Sequence, residues 1–161
     1  MSYTKRIASA LSLIALLVGA PASGQESNDK AVALALPTHL RVLLIEEMQA
    51  VLQASSTILD ALVRGQDELV AKNAQAIHDS FIMAKKMTQT DREALHSAVP
   101  HSFAERDASF HELSARLAEA ARARDRPRQR ELFAEMVTAC VECHAAHATN
   151  RFPELAARTS D

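Results

Sequence analysis

The chain of 161 residues has only three glycines and two cysteines; tryptophan is absent and aromatic residues make up 4% of it. Beyond residue 24 a single glycine remains, Gly65, and clusters of β-branched residues are few. A stretch so poor in glycine and rich in Ala, Leu, Glu and Arg predicts an all-helical protein. Excess positive charge is missing too: beyond residue 24, 16 of the 18 basic residues stand against all 20 acidic ones, a formal net charge of −4. That balance gives no reason to expect nucleic-acid binding. No paired carboxylates, activated nucleophile or phosphate-binding loop stands in a supporting context, so an enzyme is not expected.

The first residues, "MSYTKRIASALSLIALLVGAPASGQ", read as a secretory leader. Lys5 and Arg6 form its positive region, Ile7 to Val18 its apolar run, and Ala20-Pro21-Ala22 or Ala22-Ser23-Gly24 a small-residue cleavage site. The apolar run is short for a membrane span, so no stable span is expected, an uncleaved anchor being the rival reading. Residues 1–24 are therefore taken as a cleaved signal peptide and residues 25–161 as one domain working outside the cytoplasm.

Punctuation divides that domain into four long helices. The first runs from about Thr38, just after Pro37, to Gly65, with Leu40, Leu44, Met48, Val51, Ile58 and Leu62 as one buried stripe at three- and four-residue steps. The second runs from about Asp67 to Met87 with Val70, Ile77, Phe81 and Ala84 inward; "TDREALHSAV" then makes a short helix that Pro100 ends. The third covers about Ser102 to Arg124 with Phe103, Phe110, Leu113 and Leu117 inward. Asp125 and Pro127 open the fourth, which carries Leu132, Phe133, Met136 and Val137 and ends near Thr149. Short connections make neighbours antiparallel, and an up-down four-helix bundle is the economical all-α fold.

Both cysteines fall in "CVECHAAH", residues 140 to 147. On a helix, Cys140, Cys143 and His144 share one face, and all four candidate ligands span about two turns, roughly 10 Å. Zinc wants a tetrahedron, usually drawn from two chain elements. A thioredoxin-like pair needs a βαβ setting that is absent, and a disulfide this short constrains little of the unfolded chain. In an oxidising compartment, C-x-x-C-H in a chain with no other cysteine reads as c-type haem attachment: two thioethers from Cys140 and Cys143, and His144 on the proximal side of the iron. A structural or metal-binding bundle is the remaining reading.

With "CVECH" in the last helix, a leader peptide and, more weakly, "LRVLLIEEM" in the first helix, the sequence resembles the cytochrome c′ family, including its low-spin His/Met relatives. The resemblance implies a periplasmic four-helix bundle holding one haem c near the end formed by the start of the first helix and the end of the fourth. It implies that Arg41 sits by a haem propionate and that a residue of the first helix faces the distal side of the iron. It also makes a homodimer through the first two helices an expectation, although the apolar stripes show no clear second face. Members usually have an aromatic and a basic residue three and four places after the histidine; here those places hold His147 and Ala148, with Arg151 the first base.

The distal ligand decides what such a haem does, because His/Met iron shuttles electrons and iron with an open side binds a small gas. Met48 is the first candidate. Matching Arg41 to the family arginine instead sets Ile45 over the iron and leaves the distal side open to nitric oxide or carbon monoxide. His111 and His78 lie at comparable depth, at flanks where an ordinary hydrogen-bonded histidine is expected. His147 is expected to face solvent, and "RARDRPRQR" to be a solvated turn. A redox partner protein is expected at the surface carrying His96, His101 and the tail "NRFPEL".

Overall fold

Six α-helices and a terminal 3-10 turn, with no strand among the described residues, make up residues 34–156, the part of the chain that the structure, a computed structural model, describes. The expected leader, residues 1–24, lies outside them. In chain order the helices are α1 (Thr38–Arg64), α2 (Asp67–His78), α3 (Met83–Lys86), α4 (Gln89–Ala98), α5 (His101–Arg122) and α6 (Arg126–His147). The expected first, third and fourth helices and the short one before Pro100 correspond to α1, α5, α6 and α4. The expected second helix does not continue to Met87: it stops at His78, and a four-residue α3 follows.

A buried carboxylate from α1 causes that break. Glu47 is 3% exposed and accepts hydrogen bonds from the N–H groups of Phe81 (2.9 Å), Ile82 (2.6 Å) and Met83 (2.9 Å) and from the Ser80 hydroxyl (3.0 Å). Four donors on one carboxylate replace the hydrogen bonds that α2 would have made by continuing. The chain turns at Ser80, whose φ of 61° lies in the left-handed region. Burial pushes the Glu47 carboxyl up, but the three N–H groups and the hydroxyl together hold it below its ordinary value. Phe81 still packs against the core; Ala84 is exposed rather than inward because it now belongs to α3.

Glu47 also resets the buried face of α1. The buried row is Leu40, Glu47, Val51, Ala54, Ile58 and Ala61, with Leu44 and Leu62 half-buried beside it. Met48, expected in that row, is 39% exposed. It lies about 100° around the helix from Glu47.

α1 packs on α2, α2 most extensively on α5, and α5 on α6, whereas α1 and α6 meet at only a few points. Alanines (Ala71 and Ala74 on α2, Ala118 and Ala121 on α5) fill the buried positions of the central pair and let the two backbones approach. At one end of that pair His78 and His111 each donate Nδ1–H to the other's main-chain carbonyl, both at 3.0 Å. At the other end Arg126 of α6 reaches across to the Asp67 carboxylate (3.1 Å) and the Gly65 carbonyl (3.1 Å), and buried Gln129 donates to Asp67 at 3.0 Å. Gly65, at φ 69°, ends α1 as expected, and a Cβ there would press on the Arg126 guanidinium at 3.3 Å. The arginine-rich turn thus contributes a cross-link as well as solvated charge.

α3 and α4 are tethered along α1 by Lys86–Glu46 (2.7 Å) and His39–Asp91 (2.7 Å). Thr88 and Asp91 cap α4 reciprocally: the Asp91 N–H donates to the Thr88 hydroxyl, and the Thr88 N–H to the Asp91 carboxylate. The Thr88 N–H and hydroxyl, then His39, hold the Asp91 carboxyl down at about 2.

Two outcomes follow for stability. Glu47→Ala orphans three buried N–H groups and should cost about 3 kcal/mol in a urea melt, with Glu47→Gln losing less because its amide oxygen still accepts. Asp91 is depressed in the folded chain, so its contribution is present above its unfolded value near 4 and is lost as pH falls toward about 2. The stability gap between wild type and Asp91→Asn should therefore be full at pH 5, narrow below pH 4 and close only as the pH reaches about 2.

Candidate functional site at the end of α6

The last turns of α6 carry Cys140, Cys143 and His144, all half-buried, with both thiols free. Burial pushes both thiols above the ordinary cysteine value. At Cys143 the nearby Arg106 opposes that rise while Asp107 and Cys140 add to it. Burial also holds His144 below its ordinary value, so at neutral pH its ring is uncharged and offers a lone pair. Among the described residues no group of three or more His, Cys, Asp or Glu side chains is arranged to enclose a metal ion. Two thiols and an imidazole on one helix can instead take a group held from one side and completed from another element.

α5 flanks these residues. Arg106 pairs with Glu142 at 3.5 Å, and the next residue, Asp107, stands 3.7 Å from His111. Packing raises the Asp107 carboxyl even though its side chain keeps half its surface in water; His111 opposes the shift and Glu47 adds to it. Asp107 is thus within electrostatic reach of Glu47 on one side and Cys143 on the other.

Ile45, Met48, Leu52, Leu59 and Val63 recur at three-, four- and seven-residue steps on one side of α1, and all but half-buried Ile45 are exposed. α1 therefore does have a second apolar face, invisible as such in the stripe pattern. α6 carries a row of Phe133, Val137, Cys140 and His144, with Val141 at its edge; Phe133 packs against the core and Cys140 and His144 are half-buried, whereas Val137, expected inward, and Val141 are exposed. Arg41 is exposed on the first turns of α1 and donates to the Leu36 carbonyl at 3.2 Å. By length and composition α1 is also long and apolar enough to cross a membrane, but its buried face is packed on α2.

His147 departs from expectation. It is 7% exposed, with its ring edge-on to Phe103 at 5.6 Å, because the α6 core face continues through Met136 and Cys143 to this position. His78 and His111 are ordinary hydrogen-bonded histidines at the α2–α5 seam, as expected. His96 and His101 are exposed, the latter 3.3 Å from Glu105. Two contributors went unread in the sequence: Glu47, described above, and Phe152, whose ring stacks on that of His144 with centroids 4.5 Å apart and planes 19° from parallel. An aromatic eight places past a histidine carries no periodic signal, since the chain must leave the helix and turn back to make the contact.

Compared with protein-family models, characterised proteins and solved structures, the chain matches none.

The buried thiols give a direct check. In the full chain without any attached group, Cys140 and Cys143 should react with iodoacetamide at pH 7.5 several-fold more slowly than in urea, because burial suppresses their thiolate forms. Equal rates in both conditions would contradict the half-buried placement.

Proposed function

We propose that this chain is a periplasmic c-type cytochrome: an up-down four-helix bundle of α1, α2, α5 and α6 that carries one covalent haem between α1 and α6 and transfers electrons. The observation that carries the reading is that α1 and α6 hardly touch while both leave apolar side chains exposed, Met48 and Leu52 on one and Val137 and Val141 on the other, with two free thiols and a neutral imidazole half-buried on the last turns of α6. A flat apolar group linked to α6 would give both rows a partner. The donor set fits haem c: Cys140 and Cys143 supply the two thioether links, and His144 supplies the proximal nitrogen. Bound there, the haem would supply one-electron chemistry at its iron.

The residues of this chain supply the rest. Met48, in the α1 row and free of core packing, offers a thioether sulfur from the opposite helix. Arg41, two turns earlier and exposed, would trade its hydrogen bond to the Leu36 carbonyl for one to a propionate. With the group bound, the apolar side chains of both rows would exclude water from it and favour the reduced, less charged state of the centre. Transfer would be to a redox partner protein, docking at the surface that carries His96, His101 and the C-terminal tail. The cytochrome c′ family, which the sequence resembles, provides the precedent for this arrangement.

A second reading has its own support. Ile45 lies in the same row one turn before Met48 and is the better buried of the two. With Ile45 over the iron the distal side would stay open, and the protein would bind nitric oxide or carbon monoxide.

Visible absorption of the purified protein, oxidised and reduced, with and without carbon monoxide, separates the readings. Sharp low-spin bands and no response to the gas are expected for His144/Met48 ligation; a broad high-spin spectrum that shifts with the gas supports the open site. Met48→Ala should turn low-spin to high-spin with attachment intact, whereas Cys140→Ala or Cys143→Ala should weaken or abolish attachment. Purified protein without any haem would sink both readings.

A further inference from the structure

We infer that the C-terminal tail is a built clamp on the proximal side, with Phe152 the positioning residue that sets the plane of the His144 ring. This rests on the reading of His144 as the iron ligand. The tail's path is held by main-chain hydrogen bonds. α6 ends at His147, and the Ala148 N–H still bonds the His144 carbonyl at 2.9 Å. The Arg151 and Phe152 N–H groups both donate to the Ala148 carbonyl at 2.9 Å, which folds the chain back beside the helix end. The 3-10 turn Pro153–Leu155 follows, with Pro153 at its first position and the Leu155 N–H bonded to the Phe152 carbonyl at 3.0 Å. Phe152 is thus pinned from both sides of its backbone.

Its side chain lies outside the hydrophobic core and is 37% exposed. Filling space does not account for it. Its ring instead lies nearly parallel to the His144 imidazole, the offset-stacked kind of arrangement that flat rings favour. A parallel neighbour covers one face of the imidazole and hinders rotation about its Cβ–Cγ bond, while the ring edge that bears both nitrogens stays clear of it. An axial imidazole bonds through that edge, and groups that orient a ligand also tune the metal it binds. Phe152 therefore holds the ring in one plane without competing for its nitrogen.

The test is proton NMR of the oxidised holoprotein, whose paramagnetically shifted haem methyl signals report the plane of the axial imidazole. Phe152→Ala and Phe152→Leu should both move or split these signals, and Phe152→Tyr, which keeps a flat ring, should restore the wild-type positions; helical circular dichroism should be the same in all four proteins. Unchanged methyl signals in Phe152→Ala and Phe152→Leu, with haem attached and His144 bound, would overturn the clamp and leave the cytochrome reading standing. A wild-type chain that carries no haem, or whose haem is bound by another residue, would overturn the functional reading and the clamp with it.

Discussion

The buried carboxylate of Glu47 organises this molecule. A carboxylate in the core is tolerated only when its charge is met by enough donors, and here three consecutive N–H groups and a hydroxyl converge on it. Because those donors belong to residues 80–83, meeting the charge ends α2 and turns the chain at Ser80. The same contact fixes α1 about its own axis. With Glu47 turned inward, Ile45, Met48, Leu52 and Leu59 must lie on a different side of the helix, and they form its second apolar row. One interaction therefore breaks a helix, sets the course of the α3–α4 segment along α1 and points an apolar face away from the core.

The other seams complete this arrangement from both ends. The His78–His111 exchange of hydrogen bonds locks α2 to α5 near the Glu47 level, and Arg126 with Gln129 locks the α1–α2 turn to the start of α6 through Asp67. Arg126 leads, and Gln129 assists, in holding the Asp67 carboxyl below its ordinary value, so the anion stays available to both donors. Between these ends the small residues of α2 and α5 bring the central pair close. The outer helices α1 and α6 are held by their inner neighbours far more than by each other.

Much of this was visible in the residues themselves because it is local. Gly65 and Pro127 mark helix boundaries through conformational limits that act within a few residues, and they stand where expected. The row of Leu40, Val51 and Ile58 was likewise readable from its spacing. What escaped depends on contacts distant in sequence. The pattern of Val70, Ile77 and Phe81 continues a helix, and only a carboxylate more than thirty residues away interrupts it. Met48 was set in the core because an apolar residue was preferred to the acidic one beside it, a preference that holds until the acid finds buried donors. His147 was assigned to water by residue type, whereas its position three residues past His144 returns it to the core face. Cys140, Cys143 and His144 were legible as a motif, and their exposure and neighbours were not.

The chemistry proposed for the site follows from the same constraint. Helices α1 and α6 come from opposite ends of the described chain, yet each leaves side chains such as Leu52 and Val137 in water that would be more stable covered. Apolar area left bare in this way is a cost to the chain alone, since it contributes nothing to folding and promotes association. It becomes an asset if a group bonded to one helix lies against the other, because binding that favours only the folded arrangement adds its free energy to folding. Covalent attachment at Cys140 and Cys143 would make that gain permanent. The Glu47 anchor would then fix Met48 and Ile45 relative to the same group, so that one buried charge sets both the fold and the distal side of the proposed centre.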